Sequence, residues 1–566
     1  MLVGRNGIDL GSLDQLAGYG ILVGTVSGSG TNLLASNPSG TVSGAFNFGN
    51  DLATVYSVGP ANLGGSSVSG GVISAVNGVV VDSGRKLSGF GSVNGGIRLQ
   101  AGVLEASSGN LVIHGEIRGN GLLMGSGSNG VSATGGLVAD GNLVWNAPLT
   151  LAANSNATIL SAGITQYSGS LSLTGGTLTA SNGLRLMAGS SIVGHGTLNG
   201  RFLGDTGTEL IVAGGSLGLG DSARLNGFTT LGDVIVGSGQ LQLHSAAFAT
   251  LGGLTQIGGG ALTASNGIAL STGAVVSGFG TINGKVSGAV GSSIIASGGN
   301  LTVGKLVNSG FFHLGELDTQ ANTVTILNNT RSTLGSQTSL GSGGSDGTLI
   351  VSNGAFVDFG RTITGYGTVD SQNLVSKAMI INGDVIGNSL TERITFEGYV
   401  KGLGTFENVI MNGTFAPGLS PTLSNTTNLA LGNNSILEME IGGLSAGSQF
   451  DKIVDAGLLT LNGTLKLTLI NGFNPTLGDS FDLFDWSTLA GSFSNFDFSA
   501  AGLAPGLTWD TSNLYTTGTL TLTAVPEPSA LTMVGLSLLA MAVRRRRSSS
   551  ASGVRLKASH HVRPGQ

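Results

Sequence analysis

A glycine-rich signature recurs along this chain and constrains its fold more than any other feature. Residues 177–200 read TLTASNGLRLMAGSSIVGHGTLNG, and residues 261–284 read ALTASNGIALSTGAVVSGFGTING. The same skeleton recurs from Val76 and from Ser352: Asn-Gly, a glycine six residues later, and Gly-aromatic-Gly five residues beyond that. Because self-similarity of this kind is typical of repeat proteins, each copy should be one unit of a stacked structure.

A degenerate fifth copy lies at the start of the chain, where the middle glycine of the signature is missing. The asparagine positions of the five copies are Asn6, Asn77, Asn182, Asn266 and Asn353. The aromatic positions are Tyr19, Phe90, His195, Phe279 and Tyr366. Since a repeat already begins within the first ten residues, with no basic and apolar leader before it, we expect the chain to start inside its repeat array.

The spacing of the copies predicts the size of the repeating unit. The first glycines of four Gly-aromatic-Gly motifs are Gly89, Gly194, Gly278 and Gly365. The three intervals between them are close to five, four and four times a common unit of about 21 residues. A coil of this length cannot bury its own apolar side chains, so neighbouring coils must stack to build the core.

Composition supports an all-β fold. Glycine accounts for 100 of 566 residues, hydrophobic residues for 40% and proline for only 10 residues. Short β-branched runs separated by Gly, Asn and Ser are typical of strands joined by tight turns. The sequence therefore predicts a parallel β-helix or solenoid, with a β-sandwich array as the alternative. Because cysteine is absent, disulfides, thiolate metal sites and a cysteine nucleophile are excluded.

The end of the chain has a different organisation in three parts. Pro526, Glu527 and Pro528 precede an uncharged apolar run at residues 530–543, which ends on Arg544, Arg545, Arg546 and Arg547. As a helix, the run would span roughly 21 Å, less than the ~30 Å hydrocarbon core, although arginine snorkelling could compensate. Four adjacent arginines make a buried core helix costly, so the sequence favours a short membrane helix.

This three-part end resembles the PEP-CTERM sorting domain of exported proteins from Gram-negative bacteria that make exopolysaccharide. The resemblance implies recognition at Pro526, Glu527 and Pro528 by an exosortase, a membrane protease-transpeptidase. It also implies export, with the protein held in the inner membrane in transit and then delivered to the cell surface or extracellular matrix. The chain differs from family members in its shorter helix and in the tail, Ser548 to Gln566, that follows the arginines.

Four regions follow from these patterns. Residues 1–423 are predicted to be the solenoid, 424–524 a C-terminal β cap, 525–547 the sorting signal and 548–566 a basic disordered tail. The order of motifs around the start of the cap resembles the passenger-associated repeats of autotransporter-like proteins. We expect the cap to cover the open edge of the last coil, with Trp486 and Trp509 in its core.

No catalytic, cofactor or metal site is predicted. We find no ladder of carboxylates at the coil spacing, and Asp482 and Asp485 are interpreted as capping or strand-edge charges rather than an acid/base pair. His195 is interpreted as a stacking residue of the aromatic column. The remaining histidines are scattered, and Gly343–Gly347 matches a calcium-binding nonapeptide only once, although that motif acts in tandem.

Charge excludes one class of partner. Of 24 basic and 30 acidic residues, seven basic ones and no acidic ones follow Val543, which leaves 17 against 30 and a net charge of −13 before it. A chain of this charge has no basic surface for nucleic acid. The main hypothesis is a non-enzymatic surface or matrix protein, with exopolysaccharide as its candidate contact. The alternatives are a polysaccharide lyase or glycosidase on a β-helix scaffold, and an adhesin.

Overall fold

Parallel coils stacked along one axis form the molecule in the computed structural model. The structure describes residues 43–525 except 51, 126–130, 134–136, 147–148, 153–155, 161–163, 181, 221–227 and 305–309. Before residue 43 it describes Asn6 and the short strands within residues 2–35. The predicted sorting signal and basic tail, from residue 526 onwards, lie outside the described residues.

Strands account for most of the described chain. Up to residue 160 they are Leu2–Val3, Ile8–Leu10, Gln15–Gly18, Leu22–Val23, Thr25–Gly28, Asn32–Ala35, Ala45–Phe48, Leu52–Tyr56, Ala61–Asn62, Ser67–Ala75, Val79–Asp82, Lys86–Asn94, Ile97–His114, Ile117–Gly125, Val131–Ala133, Leu137–Asn146, Leu149–Ala152 and Asn156–Leu160. From there to residue 304 they are Thr165–Tyr167, Ser170–Ala180, Leu184–Leu186, Ser191–Asn199, Phe202–Gly204, Glu209–Leu219, Phe228–Thr230, Asp233–Val236, Gln240–Leu243, Ala249–Leu251, Leu254–Ala264, Ile268–Leu270, Val275–Asn283, Val286–Gly288 and Ser293–Gly304.

The later strands are shorter and more numerous. They are Phe311–His313, Glu316–Asp318, Thr323–Leu327, Ser332–Thr333, Gln337–Leu340, Gly347–Val351, Ala355–Val357, Thr362–Gly365, Gly367–Asp370, Met379–Ile381, Asp384–Gly387, Ile394–Phe396, Val400–Gly402, Thr405–Glu407, Val409–Met411, Thr414–Pro417, Leu423–Thr427, Ala430–Leu431, Ile436–Ile441, Lys452–Leu461, Thr464–Leu469, Ser480–Asp482, Phe484–Gly491, Asn495–Ala500, Leu507–Asp510 and Thr519–Ala524.

The pairing register confirms the predicted solenoid and its coil length. Ile73 lies beside Val93, and Val93 lies beside Ile113, so each step along the stack is close to the predicted coil period. Parallel pairing is already present where Ile8 lies beside Val26. Each strand therefore pairs with the equivalent strand of the next coil. This pattern excludes the β-sandwich array, whose sheets are antiparallel.

Residues 184–199 show how one coil is built. The strand Leu184–Leu186 is followed by Ser191–Asn199, which bends at Gly194 and Gly196, so that three short segments surround the interior. Side chains alternate between inside and outside, as the pleat of a strand requires. Leu184, Ile192 and Leu198 are fully buried in a core that continues along the described coils.

Coil length varies although the fold repeats. The coil that joins Leu184 to its ladder partner Phe202 is shorter than the one that joins Leu210 to Val234. Near the end of the stack, the step from Ile453 to its partner Phe484 is longer still. The inward columns nevertheless stay aligned on the strand ladder, while the number of residues between ladder partners differs from coil to coil.

An antiparallel three-stranded sheet lies at the C-terminal end of the described chain. Thr519–Ala524 is its central strand, between Ser480–Asp482 and Leu507–Asp510. Phe481 is fully buried, and its ring lies 5.5 Å from that of Phe450 and 5.8 Å from that of Trp509. Parallel pairing continues beyond residue 423, and the predicted domain boundaries stay predictions.

The two tryptophans of this end occupy different positions from those predicted. Trp486 and Trp509 are only partly buried and pack against the core, whereas the fully buried aromatic side chains here are Phe481 and Phe484. The indole Nε1 of Trp509 donates to the carbonyl of Ala501 at 3.4 Å. An indole needs a partner for its N–H, which favours a position at the rim of the core.

The described residues contain one helix, the single 3₁₀ turn Val375–Lys377. Within this part of the chain, no helix has the length and apolar character needed to cross a membrane. The predicted membrane helix at residues 530–543 lies outside the described residues.

Candidate functional site

The asparagines of the repeated signature connect one coil to the next. The Nδ2 of Asn77 donates to the carbonyl of Ser57 at 2.6 Å, and that of Asn266 donates to Ser245 at 2.5 Å. Asn353 makes the equivalent hydrogen bond to Asn328. Each acceptor lies one coil earlier, so the asparagine side chain links the backbones of neighbouring coils. The function of this column is structural.

The Gly-aromatic-Gly motif forms a corner at which the backbones of neighbouring coils come close together. Gly278 has a φ of +125°, and a Cβ built on it would lie 1.9 Å from the carbonyl oxygen of Ile257. The ring between the two glycines packs on glycines of adjacent coils. Phe279, for example, lies 3.0 Å from a Cβ built on Gly259 and 3.1 Å from one on Gly299.

His195 occupies the same corner position and packs in the same way. A Cβ built on Gly214 or Gly215 would lie 3.2 or 3.1 Å from its ring. The Nδ1 of His195 lies 3.3 Å from the carbonyl oxygen of Ala213, which can only accept, so this contact assigns the donor role to Nδ1 and, in the neutral imidazole, the acceptor role to Nε2. The stacking partner of His195 is thus glycine backbone.

A polar groove of about 420 Å³ crosses three coils beside this corner. On the strand ladder, Thr197 lies beside Gly218, and Gly218 lies beside Gln242. Within the described chain, the groove is lined by no lysine, arginine, aspartate or glutamate. Its lining residues are His195, Gly196, Thr197, Asn199, Ser216, Gly218, Gly220, Gln242 and His244.

Sequence analysis missed this groove because it treated His195 and His244 separately. The two histidines are distant in sequence and line the same groove two coils apart, with His244 on the ladder row of Gly220 and Asn199. The signal that could have indicated the groove is Gly218, a glycine at an outward position where the neighbouring coils carry Thr197 and Gln242.

A second, smaller cavity of about 80 Å³ lies near the end of the solenoid and contains carboxylates. Asp451 accepts hydrogen bonds from the amides of Thr422 at 2.8 Å and Glu440 at 2.7 Å. Burial raises the pKa of Asp451 to about 7. Tyr399 donates to Glu438, and burial followed by this hydrogen bond raises the pKa of the phenol.

The size of this cavity limits its chemistry. Ligand sites for small molecules usually enclose ~300–1,000 Å³, several times the volume present here. The Asp451 carboxylate joins two backbone segments, and Glu438 also accepts from Lys466 Nζ at 2.7 Å. A buried carboxyl with a raised pKa is suited to general acid chemistry, but these contacts are those of a structural network.

Asp482 and Asp485 lie together around one cation. Lys452 Nζ is 2.5 Å from Asp482 Oδ2 and 2.7 Å from Asp485 Oδ2. Asp482 belongs to the antiparallel sheet, whereas Asp485 belongs to a strand of the last coils. The ion pairs therefore connect these two elements.

Among the described residues, neither the other histidines nor the glycine-rich loop belongs to a cluster of metal-ligating side chains. His114 is exposed, while His313 is completely buried with Nε2 3.2 Å from the Ser292 hydroxyl. The amide of Gly344 donates to the Tyr366 hydroxyl at 2.8 Å, which holds the calcium-like loop against the aromatic column. No group of three metal-ligating side chains occurs in the part of the chain that the structure describes.

The chain leaves the cap at the position where the sorting signal was predicted. The last described hydrogen bond is donated by the amide of Val525 to the carbonyl of Gly506, at 2.8 Å. Residues 524–547 match the family model described as the PEP-CTERM protein-sorting motif. The chain carries a PEP-CTERM sorting motif. A comparison with curated proteins finds no relative of this chain.

The PEP-CTERM motif therefore begins at the end of the central cap strand, Thr519–Ala524. It implies processing by an exosortase-type membrane enzyme and export to the cell exterior. The predicted recognition residues Pro526, Glu527 and Pro528 and the arginines 544–547 fall inside the matched range but outside the described residues. Their individual roles stay predictions.

Proposed function

We propose that this protein is a non-enzymatic structural rod of the cell surface or extracellular matrix, delivered there through its PEP-CTERM motif. The observation that carries the proposal is the position of the motif. The described solenoid and cap extend to Val525, and the motif starts at residue 524. Cleavage near Pro528 would release the described solenoid and cap together, because all the described strands precede that point.

The proposed mechanism is architectural. A stack of parallel coils presents outward rows of Thr, Ser, Asn and Gln, whose hydroxyl and amide groups can form hydrogen bonds with a polymer. Thr177, Thr197 and, on the same ladder, Gln242 and Thr263 are examples of such an outward row. The net charge of −13 before residue 544 keeps such rods soluble and separate.

Localisation of signal variants tests the sorting part of the proposal. Replacing Pro526, Glu527 and Pro528 with alanine should prevent processing and leave the full-length protein in the inner membrane. Replacing Arg544–Arg547 with alanine should have the same effect. The matched control replaces the three basic residues of the tail, Arg555, Lys557 and Arg563, and should be processed like the wild type.

Cell fractionation and intact-mass measurement distinguish the outcomes. A wild-type product that ends near Pro528 and lies outside the inner membrane supports the proposal. If the motif variants reach the exterior with the wild-type mass, the motif does not sort this protein. If the tail control also stays unprocessed in the inner membrane, the loss of basic charge, rather than the loss of the motif, prevents processing.

The carboxylate cavity is the feature that favours an enzyme, the first alternative. Asp451 is the candidate acid, but the small cavity and the two amides that Asp451 already binds support a structural role. We expect no new reducing ends when neutral or acidic polysaccharides are incubated with the protein. Release of reducing ends that disappears in Asp451→Asn would instead identify a carbohydrate-active enzyme.

An outward apolar stripe favours the second alternative, an adhesin. On the strand ladder, Phe312 lies beside Thr333, Thr333 beside Phe356, and Phe356 beside Ile380. Phe312 is half exposed, as an interaction surface requires. Loss of cell attachment in Phe312→Ser, with unchanged attachment in a Thr333→Ser control, would support this role over a purely architectural one.

A further inference from the structure

The groove between His195 and His244 exists because one residue lacks a side chain. Gly218 faces outward between Thr197 and Gln242. Its backbone does not require glycine, since it lacks the positive φ seen at Gly196 and Gly220. A Cβ built on Gly218 would meet its nearest atoms, the Gly196 oxygen and the Thr197 methyl, only at 3.9 Å. Neither strain nor crowding explains this glycine.

Gly220, two residues later and also lining the groove, behaves differently. It has a φ of +88°, and a Cβ built on it would lie 2.3 Å from the carbonyl oxygen of His244. Glycine is therefore required at position 220, because two backbones come close together there. At Gly218, by contrast, the missing side chain leaves open volume in the row of outward side chains that contains Thr197 and Gln242. The absence of its side chain makes room for a ligand.

The side chains around this space offer hydrogen bonds without formal charge. In the neutral imidazole of His195, Nε2 is the acceptor, because Nδ1 donates to the carbonyl of Ala213. The Gln242 amide donates to Gln240 Oε1 at 2.9 Å, which leaves Gln242 Oε1 as an acceptor. Within the described chain, the hydroxyls of Thr197 and Ser216 make no side-chain hydrogen bond, so both can donate or accept.

This chemistry identifies the class of ligand. A volume of about 420 Å³ lies in the usual range of ~300–1,000 Å³ for small-molecule sites. Neighbouring strands are ~4.8 Å apart, so a groove across three coils extends about 10 Å along the rod and fits a short polymer segment. The groove has no cation to balance an anionic ligand, and the surrounding chain is acidic. An uncharged polyhydroxylated ligand satisfies these conditions.

We infer that the groove over Gly218, between His195 and His244, is a binding site for a neutral oligosaccharide segment. The inference deepens the proposed function, because it gives the polymer contact a location and a sugar chemistry. It is nevertheless independent of sorting. Binding by purified full-length protein is measured without export, so failure of the groove and failure of the PEP-CTERM motif produce different results.

Filling the groove provides the test. Gly218→Gln gives the middle coil the same side chain that Gln242 provides in the next coil. The variant should fold normally, because the space around the Cβ position is open. The matched control is Gly258→Gln, an exposed glycine outside the groove whose built Cβ meets nothing closer than 3.7 Å and whose φ is not positive. Gln242→Leu removes the amide without adding bulk.

The probes are short neutral oligosaccharides of glucose, mannose and galactose, the corresponding uronic acid oligomers, and Zn²⁺ alone. We expect calorimetry to show binding of at least one neutral oligomer by the wild type and by Gly258→Gln. Affinity should fall at least tenfold in both Gly218→Gln and Gln242→Leu, while thermal unfolding midpoints match the wild type.

Three results would overturn the inference. If no neutral oligomer binds, the groove is not a sugar-binding site. Equal binding by Gly218→Gln would place the sugar elsewhere on the rod. Binding restricted to the uronic acid oligomers, or to Zn²⁺ through His195 and His244, would contradict the neutral-sugar chemistry.

Discussion

The glycines of the signature differ in how strictly the local structure requires glycine, and their surroundings explain the difference. Gly278 and Gly273 belong to the same copy, and both have positive φ values, +125° and +79°. Only Gly278 lies against a neighbouring backbone, whereas a Cβ on Gly273 would meet nothing within 4 Å. The repeated glycines therefore serve two purposes, a turn that glycine favours and a close approach that only glycine allows.

This difference makes a prediction for a matched pair of substitutions. Gly278→Ala should disrupt the coil, with a loss of several kcal/mol, because the added Cβ overlaps the Ile257 carbonyl as well as straining φ. Gly273→Ala should cost only about 1 kcal/mol. Hydrogen exchange of residues 254–283 measures the loss of stability in each of the two variants. Equal effects of the two substitutions would show that steric contact between the coils is unimportant.

His313 gives a pH-dependent prediction. Burial lowers the pKa of its imidazole to about 4, and Nδ1 has no hydrogen-bond partner among the described residues. Between pH 6.5 and 4 the unfolded chain takes up a proton that the folded chain does not. The contribution of His313 to the free energy of unfolding should therefore fall by about 3 kcal/mol over this window and stay constant above it.

Replacement by phenylalanine tests this assignment, because it keeps a ring of similar shape. His313→Phe should lose less stability than the wild type between pH 6.5 and 4, as measured by urea unfolding at each pH. The comparison separates His313 from Asp451, whose raised pKa acts in the opposite direction. Substitution of the exposed His114 by phenylalanine is the control. A wild-type pH profile in His313→Phe would contradict the assignment.

Between elements, Lys452 connects the last coils to the antiparallel sheet. Its ammonium is mostly buried between Asp482 and Asp485, each of which is about half exposed. Burial opposes the charge, but the hydrogen bonds to both carboxylates outweigh it and raise the pKa of Lys452. The charge therefore stabilises this junction, although solvent screening reduces the effect.

Lys452→Met should loosen the antiparallel sheet by about 1–2 kcal/mol, since two carboxylates remain without their cation. Faster hydrogen exchange in residues 507–524, with unchanged exchange in residues 254–304, is the expected observation. Lys86→Met is the control, because the Lys86 side chain is 59% exposed in its pair with Glu105 and should matter little. A similar effect of both substitutions would exclude a special role for Lys452.

For the molecule as a whole, stacking makes interactions short-ranged along the rod. Each coil contacts mainly its neighbours, so stability should be close to a sum of local terms. Leu241 lies beside Leu262 on adjacent coils, whereas the equally buried Phe406 is many coils away. Coupling between substitutions should therefore depend on the number of coils between them.

Double substitutions to alanine test this expectation. Leu241→Ala combined with Leu262→Ala should show a coupling energy above about 0.5 kcal/mol, because the two cavities are adjacent. Leu241→Ala combined with Phe406→Ala should be additive. Local hydrogen exchange is the suitable measurement, since a long repeat array need not unfold in one step. Strong coupling of the distant pair would indicate a single cooperative core.

The sequence by itself determined the β-solenoid, its approximate coil length and the sorting motif. These features repeat or lie contiguously, so a period or a short motif reveals them. Asn77 and Gly278 were identified as turn positions because the same residue types recur at the same places. The hydrogen bond of Asn77 to the preceding coil and the contact of Gly278 with Ile257 were seen only in the structure.

Only the tertiary structure decided which outward side chains are neighbours. The coil between Leu184 and Phe202 is much shorter than the one between Ile453 and Phe484, so sequence distance does not give the register. The groove that His195 and His244 both line, the open volume over Gly218 and the burial of His313 all depend on that register. The physical reason is that inward side chains are selected by a periodic core, whereas the surface is set by loops of irregular length.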